Sequence, residues 1–231
     1  MRSLVAIALV CAGCATPVAL DGRAPRVITV SALGRVAVKP DTALVQIGAE
    51  ARAPALADAT ADVDRRMRDV LARVRALAIA DADIATVAYS IDPLVTPRAR
   101  DEDPAHIAGY RVVNVVQVRV RDLAAIGRLL DAVMGAGANT LPSLQFTVED
   151  RAGPESRART LAVRAAAAKA AQIAAAAGVR LGDLVMLSEG GMLRPAMHQA
   201  RYTALGSPPG PVEPGQLDIE IVVEAHYLIE K

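Results

Sequence analysis

The chain has 231 residues, 53% of them hydrophobic and 2% aromatic, and its formal net charge at pH 7 is +1. This apolar content excludes a disordered chain, and the length is enough for one or two domains with a real core. The balanced charge, with four Tyr, one Phe and no Trp, argues against a nucleic-acid-binding protein, which usually presents a basic face and aromatic stacking platforms.

The N-terminal segment has the pattern of an export signal. A short basic start at residues 1–3 precedes an apolar run over 4–10, and small residues follow it. A membrane-spanning helix needs about 20 apolar residues, so we expect this run to direct export rather than to span the membrane.

The end of this segment resembles a bacterial lipobox, in Ala12-Gly13-Cys14. We predict cleavage between Gly13 and Cys14 and lipid attachment at Cys14, with Ala15 resembling the default for the outer membrane. Cys11 stands where a lipobox usually has Leu, so cleavage near Ala15 to give a soluble periplasmic protein is the alternative. The expected segments are a signal peptide at 1–13, the lipidated Cys with a tether at 14–26, and one domain at 27–231.

Strand and helix patterns alternate along the predicted domain. Apolar runs and period-two alternation predict strands at 27–30, 36–38, 43–49, 84–94, 110–120, 144–148, 184–187 and 217–229. Residues 31–35 are predicted to form a turn, because they contain Gly34. The last strand alternates most strictly, and we expect it to be a long, half-buried edge strand.

Three segments have the periodicity of helices, at 54–77, 122–135 and 155–177. Asp122 is placed to cap the second. The third is rich in Ala, and its predicted apolar stripe is Val163, Ala166, Ala170, Ile173 and Ala177. The element order predicts an α+β fold, with a mixed or antiparallel sheet on which two long helices and one shorter helix pack.

Several short motifs follow one another along the predicted domain. These motifs are Val27–Ser31, Lys39-Pro40-Asp41, Asp83–Thr86, Tyr89–Pro93, Gly109–Arg111, Asn114, Asp122-Leu123, Gly137-Ala138-Asn139, Gly178–Gly182 and Val212–Gly215. Their order and spacing resemble the SIMPL domain, a family of bacterial envelope proteins. Ala32 and Ala78 stand where the family often has Gly.

The resemblance implies an α+β domain in the cell envelope, a tendency to form homo-oligomers and a loose link to stress tolerance. It implies no catalytic residue. We therefore expect a non-enzymatic lipoprotein that contacts the membrane only through its anchor, binds no nucleic acid and needs no cofactor. Its partner would be a second copy of itself, with no other protein partner indicated.

Two groups of residues are weak candidates for acid–base catalysis or for cation binding. Asp81 and Asp83 resemble paired carboxylates, but their place in a turn favours capping or solvation over acid–base catalysis. The loop from Asp101 to His106 carries carboxylates that could hold a hard cation, although a solvated loop is the simpler interpretation. His226 is expected to be exposed on the last strand.

A soft-metal site is the main alternative function. Met192, Met197 and His198 lie in one Gly- and Pro-rich loop, and thioether and imidazole ligands suit copper. Three such residues without a repeated Met spacing are a weak signal. An enzyme of unrecognised type is a third hypothesis, disfavoured by the lack of G-x-S-x-G, P-loop and H-E-x-x-H motifs.

Overall fold

The computed structural model describes residues 26–95, 106–190 and 214–230. Their helices and strands follow in the order β1 (Val27–Val38), β2 (Thr42–Ala53), α1 (Leu56–Ala76), β3 (Ile84–Val95), β4 (Ile107–Val120), α2 (Ile126–Gly135), β5 (Thr140–Thr147), α3 (Ala152–Ala176), β6 (Arg180–Glu189) and β7 (Leu217–Glu230). This succession of strands and helices confirms the predicted α+β class. Among these residues, none of the helices has the length and apolar character needed to span a bilayer.

The strands form two antiparallel sheets rather than one. The larger sheet has the order β3-β4-β2-β5, and the smaller has the order β1-β7-β6. Each sheet has its own hydrophobic core. The predicted sheet is therefore divided in two, because strands from opposite ends of the sequence pair with each other.

In the larger sheet, α1 covers β2 and β4, and α2 packs against α1. The period-two pattern places Val45 opposite Val118 and Ile47 opposite Val116 on the covered face, and all four are buried. The predicted stripe of α1 is confirmed, since its buried residues are Ala59, Val63, Met67, Val70 and Val74. Asp122 caps the short 3-10 turn Leu123–Ala125 that leads into α2, because its carboxylate accepts a hydrogen bond from the backbone N of Ala124 at 3.1 Å.

In the smaller sheet, α3 packs on β1 and β7 through alanines. Its buried alanines recur every four residues, at Ala158, Ala162, Ala166, Ala170 and Ala174. The predicted stripe was therefore confirmed at Ala166 and Ala170, with Val163 partly buried against the same core, and was wrong at Ile173 and Ala177. The helix lies so close to the sheet that only small side chains fit between them, and Ile173 is directed outward instead.

Gly34 lies where this approach is closest. The predicted turn at 31–35 was wrong, because β1 runs without a break through these residues and pairs with β7 along its whole length. A Cβ atom on Gly34 would lie 2.0 Å from the carbonyl oxygen of Ala158. Glycine is needed here for close packing and not for a turn.

The prediction that the last strand is an edge strand was also wrong. β7 lies between β1 and β6, and it pairs with β1 from Leu217 to Leu228 and with β6 from Val223 to Glu230. Its apolar residues face α3, and Ile219, Ile221, Val223, Ala225 and Tyr227 are buried as the alternation predicted. The edges open to other strands therefore belong to other elements.

The chain passes between the two sheets twice, at residues 39–41 and 148–151, which we call the neck. Asp41 joins the two passages. Its backbone N donates to the carbonyl of Thr147 at 3.2 Å, and its carboxylate accepts from the backbone N of Glu149 at 2.8 Å. Asp41, part of the family-like Lys-Pro-Asp motif, thus has a structural role.

The side chain of Asn139 takes the place of a β5 residue beside Glu50 of β2, where the pairing of β2 with β5 has ended. Its side-chain oxygen accepts from the backbone N of Glu50 at 2.7 Å, and its amide donates to the carbonyl of Glu50 at 2.8 Å. The side chain thereby satisfies both backbone groups of one strand residue beside the irregular pairing of β2 with β5. This accounts for the Asn of the Gly-Ala-Asn motif.

We expect Asn139→Ala to lower the free energy of unfolding by about 1–3 kcal/mol, because it leaves two backbone groups of Glu50 without their partner. Urea denaturation followed by far-UV circular dichroism measures the change. The matched control is Asp150→Ala, which removes one exposed hydrogen bond to Ala152 and should cost less. Equal losses for both variants would contradict the role given to Asn139.

Candidate assembly surface

Each sheet ends in two edge strands, and the four edges differ. β1 and β6 border the smaller sheet, and β3 and β5 border the larger one. An uncovered edge presents unpaired backbone N–H and C=O groups to which another strand can add. The protection of each edge therefore decides where a second chain can bind.

The edges at β1 and β5 carry protective features. Arg35 on β1 forms an ion pair with Glu220 at 2.6 Å, and Lys169 from α3 donates to the backbone carbonyl of Ser31 at 3.0 Å. β5 is the shortest strand and contains Pro142, which cannot donate a backbone hydrogen bond. Charge, proline and short length are the means by which proteins protect edges.

The edge at β3 carries no charge or proline over most of its length, although its pairing with β4 is irregular at Val87 and near Val95. No charged residue occurs from Ile84 to Ile91, and Asp92 and Pro93 come only near its end. α1 packs on β2 and β4, and α2 packs against α1, so that β3 is left uncovered. Large apolar side chains of β3 are therefore about half exposed, at Val87, Tyr89, Ile91 and Val95.

The edge at β6 is also open. Four consecutive apolar residues from Leu184 to Leu187 are each about half exposed. The pairing of β6 with β7 is irregular at this place, with register shifts between Leu181 and Met186. The apolar run lies between Asp183 and Ser188 and contains no charge. We call β3 and β6 the open edges, since no strand within residues 26–95, 106–190 and 214–230 pairs with their outer sides.

A carboxylate on β2 is held ionised by neighbouring arginines. Glu50 accepts from Arg111 at 2.6 Å and from Arg52 at 3.0 Å. The Arg111 hydrogen bond is the largest cause holding the pKa of Glu50 below its usual range, although burial acts in the opposite direction. Arg111 also lies 3.7 Å from Asp92 on β3. The cluster crosses three strands.

A second charged cluster lies at the neck. Arg121 donates two hydrogen bonds to Glu149, at 2.8 and 2.9 Å, and also donates to Asp83. Hydrogen bonding to Arg121 is the largest cause that lowers the pKa of both carboxylates. Carboxylates held in this way stay ionised near neutral pH, which does not suit them to general acid catalysis.

The structure separates the two carboxylates that the sequence placed together. Asp81 pairs with Arg75 at 2.7 Å, whereas Asp83 pairs with Arg121. His226 is half-buried rather than exposed, and its Nε2 lies 2.8 Å from Glu224. Asp81 and Asp83 are thus each paired with an arginine and not with each other, and His226 is paired with Glu224.

Several predicted site residues lie outside the described residues. They are Gly13 and Cys14 of the lipobox, Met192, Met197 and His198 of the soft-metal hypothesis, and Asp101, Glu102 and Asp103 of the acidic loop. Within residues 26–95, 106–190 and 214–230, three or more His, Cys, Asp or Glu residues do not come together as a metal site. The lipid-anchor and soft-metal hypotheses remain predictions.

The open edges were not found from the sequence. The available signal was the apolar run at 184–187 without a charge, together with the uncharged first half of β3. That pattern is equally typical of a buried inner strand. Only the order of the strands in the sheet distinguishes a buried inner strand from an exposed edge strand.

Two antiparallel sheets, each covered by helices on one face and each ending in an open edge, define an α+β protein with surfaces suited to strand addition. Residues 28–227 match the SIMPL family, described as a protein of unknown function (DUF541). The chain therefore belongs to the SIMPL family.

Similar proteins from other bacteria support this membership. The 26 kDa periplasmic immunogenic protein of Brucella melitensis is 33% identical over 176 residues, which cover 75% of this chain and 69% of the relative. The uncharacterized protein YggE of Edwardsiella ictaluri is 29% identical over 160 residues, covering 69% of this chain and 66% of the relative. YggE of Escherichia coli is 27% identical over 160 residues, covering 69% and 63%.

Proposed function

We propose that this protein is a self-assembling, non-catalytic component of the bacterial cell envelope. The observation that carries the proposal is the pair of open edges, β3 and β6, one on each sheet. Each offers unpaired backbone groups beside exposed apolar side chains. Strand addition satisfies both, because it forms backbone hydrogen bonds and buries the apolar face.

The occupant of each open edge is a second copy of the same chain. β3 has 12 residues and β6 has 10, so the two edges match in length. Both are uncharged along their apolar part, whereas the other two edges of the same chain are protected. A protein that met no partner at these strands would be expected to protect them as well.

The site of action is the periplasmic side of the envelope. The Brucella relative is named as periplasmic, and the signal-like start of this chain is consistent with export. A lipid on Cys14 would hold the domain at the membrane, most simply the outer membrane. Assembly would then take place among anchored copies, where the local concentration is high.

Sedimentation velocity of the unlipidated protein tests the self-assembly. Interfaces of about 800 Å² per partner are stable at micromolar concentration. We expect a mass well above the 24.0 kDa of one chain. A single species at the mass of one chain over the micromolar range would refute the proposal.

For the anchor, we expect Cys14→Ser to abolish lipidation and to release the protein from the membrane fraction. Labelling with radioactive palmitate and membrane fractionation measure the change. The matched control is Cys11→Leu, which gives this lipobox position its usual residue and should leave both properties intact, because residue 11 would be removed with the signal peptide. Continued palmitate labelling of the Cys14→Ser variant would show that the lipobox interpretation is wrong.

A further inference from the structure

A cleft of about 660 Å³ lies between the end of α1 and the junction of β4 with α2. Its wall is mixed: Leu77 and Ile79 are among the apolar lining residues, and arginines and aspartates line the rest. Its volume falls within the range of about 300–1,000 Å³ that is typical of small-molecule sites. We call it the basic cleft for the charges that line it.

The charges at the basic cleft are equal in number but unevenly paired. Three arginines, Arg119, Arg121 and Arg128, line it together with only two carboxylates, Asp83 and Asp122. A third carboxylate, Glu149, binds Arg121 from outside the lining residues. Arg121 is thus fully engaged by Asp83 and Glu149.

The other two arginines keep donors to spare. Arg119 lies 3.9 Å from Asp83, and Arg128 lies 3.7 Å from Asp122. Both distances exceed that of a hydrogen bond. A guanidinium carries five N–H donors in a planar fork that suits a carboxylate or phosphate. Two such groups therefore face the cleft with unused capacity for an anion.

From the apolar part of the wall and the two underused guanidiniums we propose that the basic cleft binds an amphiphilic anion, a single anionic headgroup on an aliphatic chain. The chain would lie along Leu77 and Ile79, and the headgroup would bind Arg119 and Arg128. Aliphatic carboxylates and anionic lipids share this chemistry. The site is separate from the open edges, so binding does not depend on self-assembly.

Isothermal titration calorimetry tests the proposal with three probes, all kept below their micelle concentrations. Dodecanoate has both the anionic headgroup and the chain, acetate has only the anionic headgroup, and dodecyl maltoside has the same chain on an uncharged headgroup. We expect dodecanoate to bind with a Kd at least about tenfold below that of either other probe. A dodecyl phosphate titration distinguishes a carboxylate preference from a general one for anionic headgroups.

Matched charge variants locate the binding. We expect Arg119→Gln with Arg128→Gln to weaken dodecanoate binding about tenfold or more, since it removes both charge-assisted contacts. The control is Arg157→Gln with Arg164→Gln, which removes the same charge from the exposed face of α3 and should leave the Kd unchanged. Thermal melts establish that both variants are folded. Absence of dodecanoate binding to the native protein at about 1 mM, or equal binding by both double variants, would overturn the proposal.

Discussion

Two lysines placed on the open edges, Val87→Lys and Val185→Lys, are expected to reduce the assembled protein to single chains. Val87 is 46% exposed and Val185 is 52% exposed, so neither change disturbs the core of one chain. In an assembled state each lysine would be buried beside a paired backbone, where a charge without a partner is costly. Each 1.4 kcal/mol lost from the interface weakens association about tenfold.

Sedimentation velocity at a fixed micromolar concentration measures this effect. The matched control is Leu33→Lys on β1, which is 44% exposed and lies on a protected edge. It should leave the assembled mass unchanged. Urea denaturation should show that the three single variants differ in monomer stability by no more than about 0.5 kcal/mol. Dissociation by Leu33→Lys, or continued assembly of the double variant, would contradict the assignment of the open edges.

The largest effect on folding is expected at Gly34. In Gly34→Ala the added Cβ would lie 2.0 Å from the carbonyl oxygen of Ala158 and 2.5 Å from the backbone N of Ala162. Backbone atoms of a helix cannot rotate away, so α3 would have to move off the sheet. We expect a loss of about 3 kcal/mol or more in the free energy of unfolding, at the upper end of overpacking effects.

The same substitution at Gly127 provides the control. Gly127 lies in α2, and a Cβ atom there would meet no atom within 4 Å. Gly127→Ala should raise the free energy of unfolding by about 0.5 kcal/mol, because alanine favours the helix. Urea denaturation of both variants measures the difference. A similar small change at both positions would mean that α3 does not pack against β1 as described.

The sequence predicted those elements whose side chains differ strongly between their two faces. β7 alternates large apolar residues with charged ones, and α1 places Val63, Met67 and Val70 on one side with arginines on the other. In such segments the positions of the apolar residues in the repeat are the positions that become buried. Their faces were therefore predicted correctly, although the position of β7 within its sheet was not.

The sequence could not predict the features that depend on nonlocal packing. α3 is so rich in alanine that many stripes look alike, and the buried one is selected by its closeness to Gly34 and β1. The division into two sheets depends on the pairing of β1 with β7 from opposite ends of the domain. The exposure of β3 and β6 follows from that division.

Hydrogen exchange on the native protein tests the claim of assembly through the open edges most directly. Backbone amides of β3, β6, β1 and β5 would be compared at concentrations where the protein is assembled and where it is dilute. Strand addition predicts that protection rises with concentration in β3 and β6, because their outward amides become hydrogen-bonded, while β1 and β5 stay unchanged. Protection that is independent of concentration at β3 and β6, or that rises instead at β1 and β5, would contradict it.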